Sequence, residues 1–85
     1  MKYEVNYDPK AEKQLDKLPK EIAQRIVKRM RFVGETGRGI GPLKDEEYGN
    51  KIRTGKYRIL VDLTHNPNII WVRYIDLRGK VYKRK

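Results

Sequence analysis

Between Lys51 and Val61 the chain reads Lys-Ile-Arg-Thr-Gly-Lys-Tyr-Arg-Ile-Leu-Val, two alternating runs joined by Thr54-Gly55. Alternation of period two marks a half-buried strand, and a short glycine-containing pair between two such runs signals a hairpin. With Thr54-Gly55 as the two-residue turn, Arg53 lies opposite Lys56, Ile52 opposite Tyr57 and Lys51 opposite Arg58. Lys51, Arg53, Lys56 and Arg58 then share one face. Like charges directly across an antiparallel pair destabilise it, so a hairpin that gathers these side chains is expected to set them against an anion from elsewhere. A three-residue loop would shift the pairing but leave Lys51, Arg53 and Arg58 on the same faces of their own strands.

An 85-residue chain has room for one modest core, so residues 1–85 are expected to form a single domain. The sequence has no cysteine, which leaves neither a disulfide framework nor a thiolate metal site and suits a reducing compartment. His65 is the only histidine, so no histidine-based metal cluster is expected, nor any other cofactor. No apolar run approaches the roughly 20 residues of a membrane span, and Met1-Lys2-Tyr3-Glu4 does not open a signal peptide. These features read as a cytoplasmic protein with no membrane partner.

The charge is far from balanced: 21 Lys and Arg stand against 11 Asp and Glu, a formal net charge of +10. A solvated, heat-adapted surface accounts for many charged residues but not for the excess of one sign. The excess points to a polyanionic partner. Arg78, Lys80, Lys83, Arg84 and Lys85 end the chain without an intervening acid.

In chain order, Tyr3, Val5 and Tyr7 alternate with Lys2, Glu4 and Asn6 as in a strand. Asp8-Pro9 then supplies a helix N-cap and a proline at the first helical position. Ala11, Leu15 and Leu18 carry that helix to Pro19, which opens a second. There Ile22, Ile26, Met30 and Val33 form an apolar stripe, while Lys20, Gln24, Arg25, Lys28, Arg29 and Arg31 lie off it, and Gly34 is the expected end. The basic face of this helix reads as solvated rather than as a nucleic-acid contact. Gly34 to Gly49 is expected to be a loop, anchored by Leu43 and carrying the acidic cluster Asp45-Glu46-Glu47. Its glycines neither follow a strand nor open a helix, so they do not form a phosphate-cradling motif. Strands are predicted at Tyr48–Arg53, Lys56–Thr64 and Ile69–Ile75, with an exposed turn at His65-Asn66-Pro67-Asn68 and a short extended segment at Val81-Tyr82-Lys83. The fold class is therefore α+β: an N-terminal strand, a two-helix hairpin, then an antiparallel β-sheet with the helices packed on one face. The other face is left to carry Lys51, Arg53 and Arg58, a basic sheet surface of the kind that binds RNA.

These residues resemble the RelE/ParE toxin superfamily, and more closely its RelE side. The resemblance rests on Leu15-Asp16-Lys17-Leu18-Pro19, on Leu43-Lys44, on Lys51 to Ile59 with its Arg53-Thr54-Gly55-Lys56-Tyr57-Arg58 core, and on Arg78 followed by Val81-Tyr82. It implies the toxin of a type II toxin–antitoxin module, a metal-independent, ribosome-dependent endoribonuclease (mRNA interferase). Such an enzyme cuts mRNA in the A site by attack of the substrate's own 2′-OH on the adjacent phosphate, and so inhibits translation. The implied partners are mRNA on the ribosome, with 30S rRNA around the A site, and a RelB-like cognate antitoxin.

The resemblance also implies the roles. Lys51 is the candidate general base, crowded by Arg53, Lys56 and Arg58, since neighbouring cations favour a neutral amine. Arg58 holds the scissile phosphate, Arg78 is a second phosphate-facing cation or proton donor to the 5′ leaving oxygen, and Tyr82 stacks on the nucleotide. Arg53, Lys56, Lys80, Lys83 and Arg84 are RNA-binding candidates. Where relatives carry Gly-His-Arg before the closing motif, this chain has Asp76-Leu77-Arg78.

Each residue also has a structural reading. Lys51 can be a solvated strand residue, Arg58 can pair with Asp62, and Tyr82 can pack its ring on the core edge. Tyr57, Trp71 and Tyr74 read as packing residues because their same-face neighbours are apolar. Two other functions fit the same fold: a ParE-like DNA gyrase inhibitor, and a non-catalytic basic domain that binds RNA or the ribosome.

Overall fold

The computed structural model describes residues 2–42 and 49–77. Its elements are β1 (Glu4–Tyr7), α1 (Pro9–Lys17), α2 (Lys20–Thr36), β2 (Ile40–Pro42), β3 (Asn50–Thr54), β4 (Tyr57–Thr64) and β5 (Ile69–Leu77). This is the expected α+β architecture, with five strands in the order β1-β5-β4-β3-β2. Two features depart from the sequence expectation. The sheet is mixed, because β1 pairs parallel with β5, Glu4 with Ile69 through Tyr7 with Val72. The glycine-rich connection also contains β2, which adds antiparallel to β3 with Ile40 opposite Ile52. A three-residue edge strand ending in proline shows no sequence period, and proline is tolerated there because an outer edge needs no ladder donor.

Asp8 sits at the N-cap position of α1 in an extended conformation, but its side chain makes no capping hydrogen bond; it is engaged by an arginine of β5, described below. Pro9 at the first helical position supplies a backbone already suited to the helix. Pro19 separates the helices, its carbonyl accepting the amides of Ile22 and Ala23. The second helix runs past Gly34 to a left-handed C-cap at Gly37. Its stripe is as predicted: Ile26, Met30 and Val33 are fully buried, with Ile22 packed alongside. They meet Ile52, Ile59, Val61, Ile70, Val72 and Ile75 of the sheet.

Strict alternation would put Val72 and Ile75 on opposite faces of β5, yet both lie in the core. A bulge reconciles them: Leu60 pairs with Tyr74 but Val61 with Val72, so Arg73 is the extra residue. One inserted residue changes which face every later side chain takes. Ile75 therefore turns inward and Asp76 faces away from the helices, opposite Arg58.

Beyond the end of β1, the edge of β5 is closed by a side chain. Gln14 of α1 donates from Nε2 to the Ile75 carbonyl at 2.9 Å and accepts the Ile75 amide at Oε1 at 2.8 Å. Among the described residues, no helix is long and apolar enough to cross a membrane.

Candidate nucleic-acid interface

The hairpin forms one residue away from the predicted register. Thr54 pairs with Tyr57, Arg53 with Arg58, Ile52 with Ile59 and Lys51 with Leu60, so the turn residues are Gly55-Lys56 rather than Thr54-Gly55. Gly55 has φ +58° and Lys56 is not left-handed, the arrangement of a II′ turn with glycine first. The correction has a packing cause. The new register places Ile52 beside Ile59 in the core, whereas the expected one would oppose Ile52 to Tyr57. It removes Lys56 from the strand face to the turn and sets Arg53 directly across from Arg58.

Lys51, Arg53 and Arg58 do share the face turned away from the core, as alternation predicts. Arg53 is exposed, Lys51 partly so. Arg58 is held down on the sheet. Its Nη2 lies 3.4 Å from Asp76 Oδ2, and the two side chains are only 13% and 11% exposed. The Nε of Arg58 is buried and has no hydrogen-bond partner among the described residues. Arg58 thus has one contact to a carboxylate and a donor left over.

Asp62, the expected structural partner of Arg58, is committed elsewhere. Its Oδ2 accepts from Arg73 Nε at 2.9 Å and its Oδ1 from the Gly49 amide at 3.0 Å. Arg73 Nη1 reaches on to both oxygens of Asp8, at 3.0 and 3.1 Å. These hydrogen bonds, to Asp62 first and Asp8 second, push the Arg73 guanidinium above its ordinary value. Sequence gives no hint of this cross-link, because it depends on the bulge that lifts Arg73 out of the ladder. It ties the start of α1 to β4 and β5 at the end of the sheet remote from the hairpin turn.

Of the three strand aromatics expected to pack, Tyr57 does so, whereas Trp71 and Tyr74 are half-buried with polar and charged partners. Tyr57 lies against the core. Trp71 donates from Nε1 to Thr64 Oγ1 at 3.3 Å and carries Arg73 over its ring, and Tyr74 carries the Lys10 ammonium 4.9 Å from its ring centre. His65 is exposed in its turn, edge-on to Tyr3. Arg78, Lys80, Tyr82, Lys83 and Arg84 lie outside the described residues, as do Leu43, Tyr48 and the acidic cluster at Asp45-Glu46-Glu47.

No protein-family model matches the sequence, and no curated protein aligns with it significantly. Solved structures do match the fold. The RelBE2 toxin–antitoxin complex of Mycobacterium tuberculosis superposes with a TM-score of 0.78 at 26% identity, over 92% of this chain and 100% of that one. The chain adopts the RelE fold. The archaeal RelE–RelB complex of Pyrococcus horikoshii matches at 0.77 and 20% identity over 94% and 99% of the two chains. The isolated Escherichia coli RelE toxin matches at 0.73 and 23% over 96% and 93%. On this RelE-like scaffold, Lys51, Arg53 and Arg58 form a basic strip on the sheet face opposite the helices. Such a strip can bind phosphates in series; Arg58, with its spare donor, can hold one by charge-assisted hydrogen bonds.

Proposed function

We propose that the protein is the toxin of a type II toxin–antitoxin module, a metal-independent endoribonuclease acting in the cytoplasm on mRNA in the ribosomal A site. The observation that carries this reading is the convergence of Lys51, Arg53 and Arg58 on one face of a RelE fold. The substrate supplies its own nucleophile. Lys51 accepts the proton of a 2′-OH as that oxygen attacks the adjacent phosphorus, a cyclic phosphate forms, and the 5′ oxygen leaves with a proton that Arg78 is placed by resemblance to deliver. Arg58 balances the charge that develops on the phosphoryl oxygens, Arg53 supports it, and Tyr82 orients the nucleotide. Stabilisation of this kind is the largest single contribution in many enzymes.

Asp76 adds a condition. Its carboxylate occupies the guanidinium that the phosphate needs, so substrate binding exchanges one anion for another on Arg58. Two of the matching structures are complexes with an antitoxin, and a RelB-like partner that covers the basic face is the corresponding regulator.

The test is primer extension on mRNA in a reconstituted translation system. Wild type is expected to cut at the A-site codon only when ribosomes are present. Arg58→Ala should lower the rate at least ~100-fold, the scale of removing one preorganised charge-stabilising donor, and Tyr82→Phe should lower it less. Asp76→Asn, which keeps size and removes the competing charge, should cut at lower protein concentration than wild type. Intact mRNA at stoichiometric wild-type protein would sink the nuclease reading in favour of gyrase inhibition or simple binding.

A further inference from the structure

The basic face of α2 does not all point to solvent. Lys20, Arg25, Lys28 and Arg31 are exposed, but Arg29 is partly buried and leans to the β2 edge of the sheet. There it lines a concavity of about 290 Å³ together with Gly39, Ile40, Gly41, Lys51 and Arg53. No acid is among these residues. The Nε of Arg29 is buried without a hydrogen-bond partner, and no carboxylate of the described residues pairs with its guanidinium. The guanidinium therefore keeps donors that the described side chains do not use, and these are free to meet an anion.

The surroundings fit a phosphate group. The guanidinium carbon lies 5.4 Å from the centre of the Phe32 ring, a cation–π contact. On the other side the backbone is bare. A side chain at Gly39 would start 3.0 Å from Arg29 Nη2, and one at Gly41 would start 3.8 Å from Lys51 Cε. The first contact is tight, so Gly39 lets the backbone lie close against the guanidinium; the second is ordinary van der Waals spacing. The pocket also continues the strip already described, since Arg53 lines it and pairs across the hairpin with Arg58. Arg58, Arg53 and Arg29 thus offer more than one cation to a ligand that carries more than one negative charge.

We propose that Arg29, with Arg53 and the backbone at Gly39 and Gly41, forms a second phosphodiester subsite that holds the single-stranded RNA backbone beside the cleavage centre. The proposal rests on the nuclease reading for the identity of its ligand. Its test reads binding alone, so the two can fail separately.

The experiment is a ¹H–¹⁵N titration of the full chain with a 2′-O-methyl oligoribonucleotide, which cannot be cut because its 2′ oxygen is blocked. The Arg29 Nε–Hε signal and the Gly39 and Gly41 amides are expected to shift saturably. Arg29→Gln should weaken the oligonucleotide about fivefold or more, as loss of a charge-assisted contact does, and lower the slope of log K against log salt by about 0.7. Arg29→Lys keeps the charge and should restore the slope but not all the affinity. Unshifted Arg29 and glycine signals in wild type overturn the proposal, even if Arg29→Gln does not fold. So do an unchanged affinity and slope in a folded Arg29→Gln. Shifts produced equally by inorganic phosphate, or by a Glu-rich peptide and not by RNA, would assign the pocket to a free anion or to a protein ligand instead.

Discussion

Tyr7 stands where α2 crosses β1, in a groove it shares with Tyr3, Val5, Val27 and Arg31. Two influences act on its hydroxyl: burial disfavours the phenolate and raises the pKa above 10.0, while the nearby Arg31 charge offsets part of that rise. Burial wins. The folded chain therefore holds this proton more tightly than the unfolded chain, so the contribution is complete below about pH 10 and is lost as pH rises through the folded pKa. Tyr7→Phe removes the titration and keeps the ring. Thermal melts between about pH 9 and 11 should show wild type losing stability more steeply than Tyr7→Phe, and parallel curves would mean that the hydroxyl is not shielded. Arg58 shows a related tension at the candidate site. Asp76 satisfies its charge but not its Nε, so the residue is stable in the apo fold and still short of a partner.

At the scale of elements, Gln14 replaces a strand. Its amide completes the edge of β5 where β1 has ended, with one bond to each backbone group of Ile75. Gln14→Ala leaves both groups unpaired, and two modest hydrogen bonds imply a loss of about 1–2 kcal/mol, or roughly 4–16 °C in Tm for a domain of this size. Faster exchange of the Ile75 amide, with that of Ile59 unchanged, would locate the loss. The helices were legible because their signals are local: Asp8-Pro9 and Pro19 set the starts, and Ile22 to Val33 repeats at helical spacing. Four features of the sheet were not, the first being the parallel pairing of β1 with β5. β2 is an Ile-Gly-Pro stretch with no period. The hairpin register turns on which side of Gly55 the second turn residue lies, and both choices keep a glycine in the turn; the pairing of Ile52 with Ile59 decides it. The bulge at Arg73 appears in sequence only as the three-residue spacing of Val72 and Ile75. The strip of Lys51, Arg53 and Arg58 followed from alternation alone. Asp76 on Arg58 and Arg73 between Asp8 and Asp62 depend on the bulge, and Arg29 on an edge strand, so none of these could be read without the chain's third dimension.

At the scale of the whole molecule, the charge excess has two opposed consequences. The net charge of +10 is only locally relieved, because the ion pairs of the described residues join two arginines, Arg58 and Arg73, to Asp76, Asp8 and Asp62. The remaining cations repel one another more strongly in the compact state than in the expanded one. The radius of gyration is 12.3 Å. At ~0.01 M salt the screening length, ~30 Å, exceeds this radius and the whole charge acts at once; at ~0.1 M it falls to ~10 Å and the repulsion becomes local. Tm should therefore rise between these salt concentrations, most of the gain coming at the low end. RNA affinity should fall over the same range, because binding releases counterions from the RNA. Calorimetry and oligonucleotide titration in matched NaCl series would read both slopes. Opposite signs would mean that the cations strain the isolated fold and serve a polyanion. A Tm that falls with salt would mean that the ion pairs outweigh the repulsion, and the charge excess would then lose its claim as evidence for an RNA ligand.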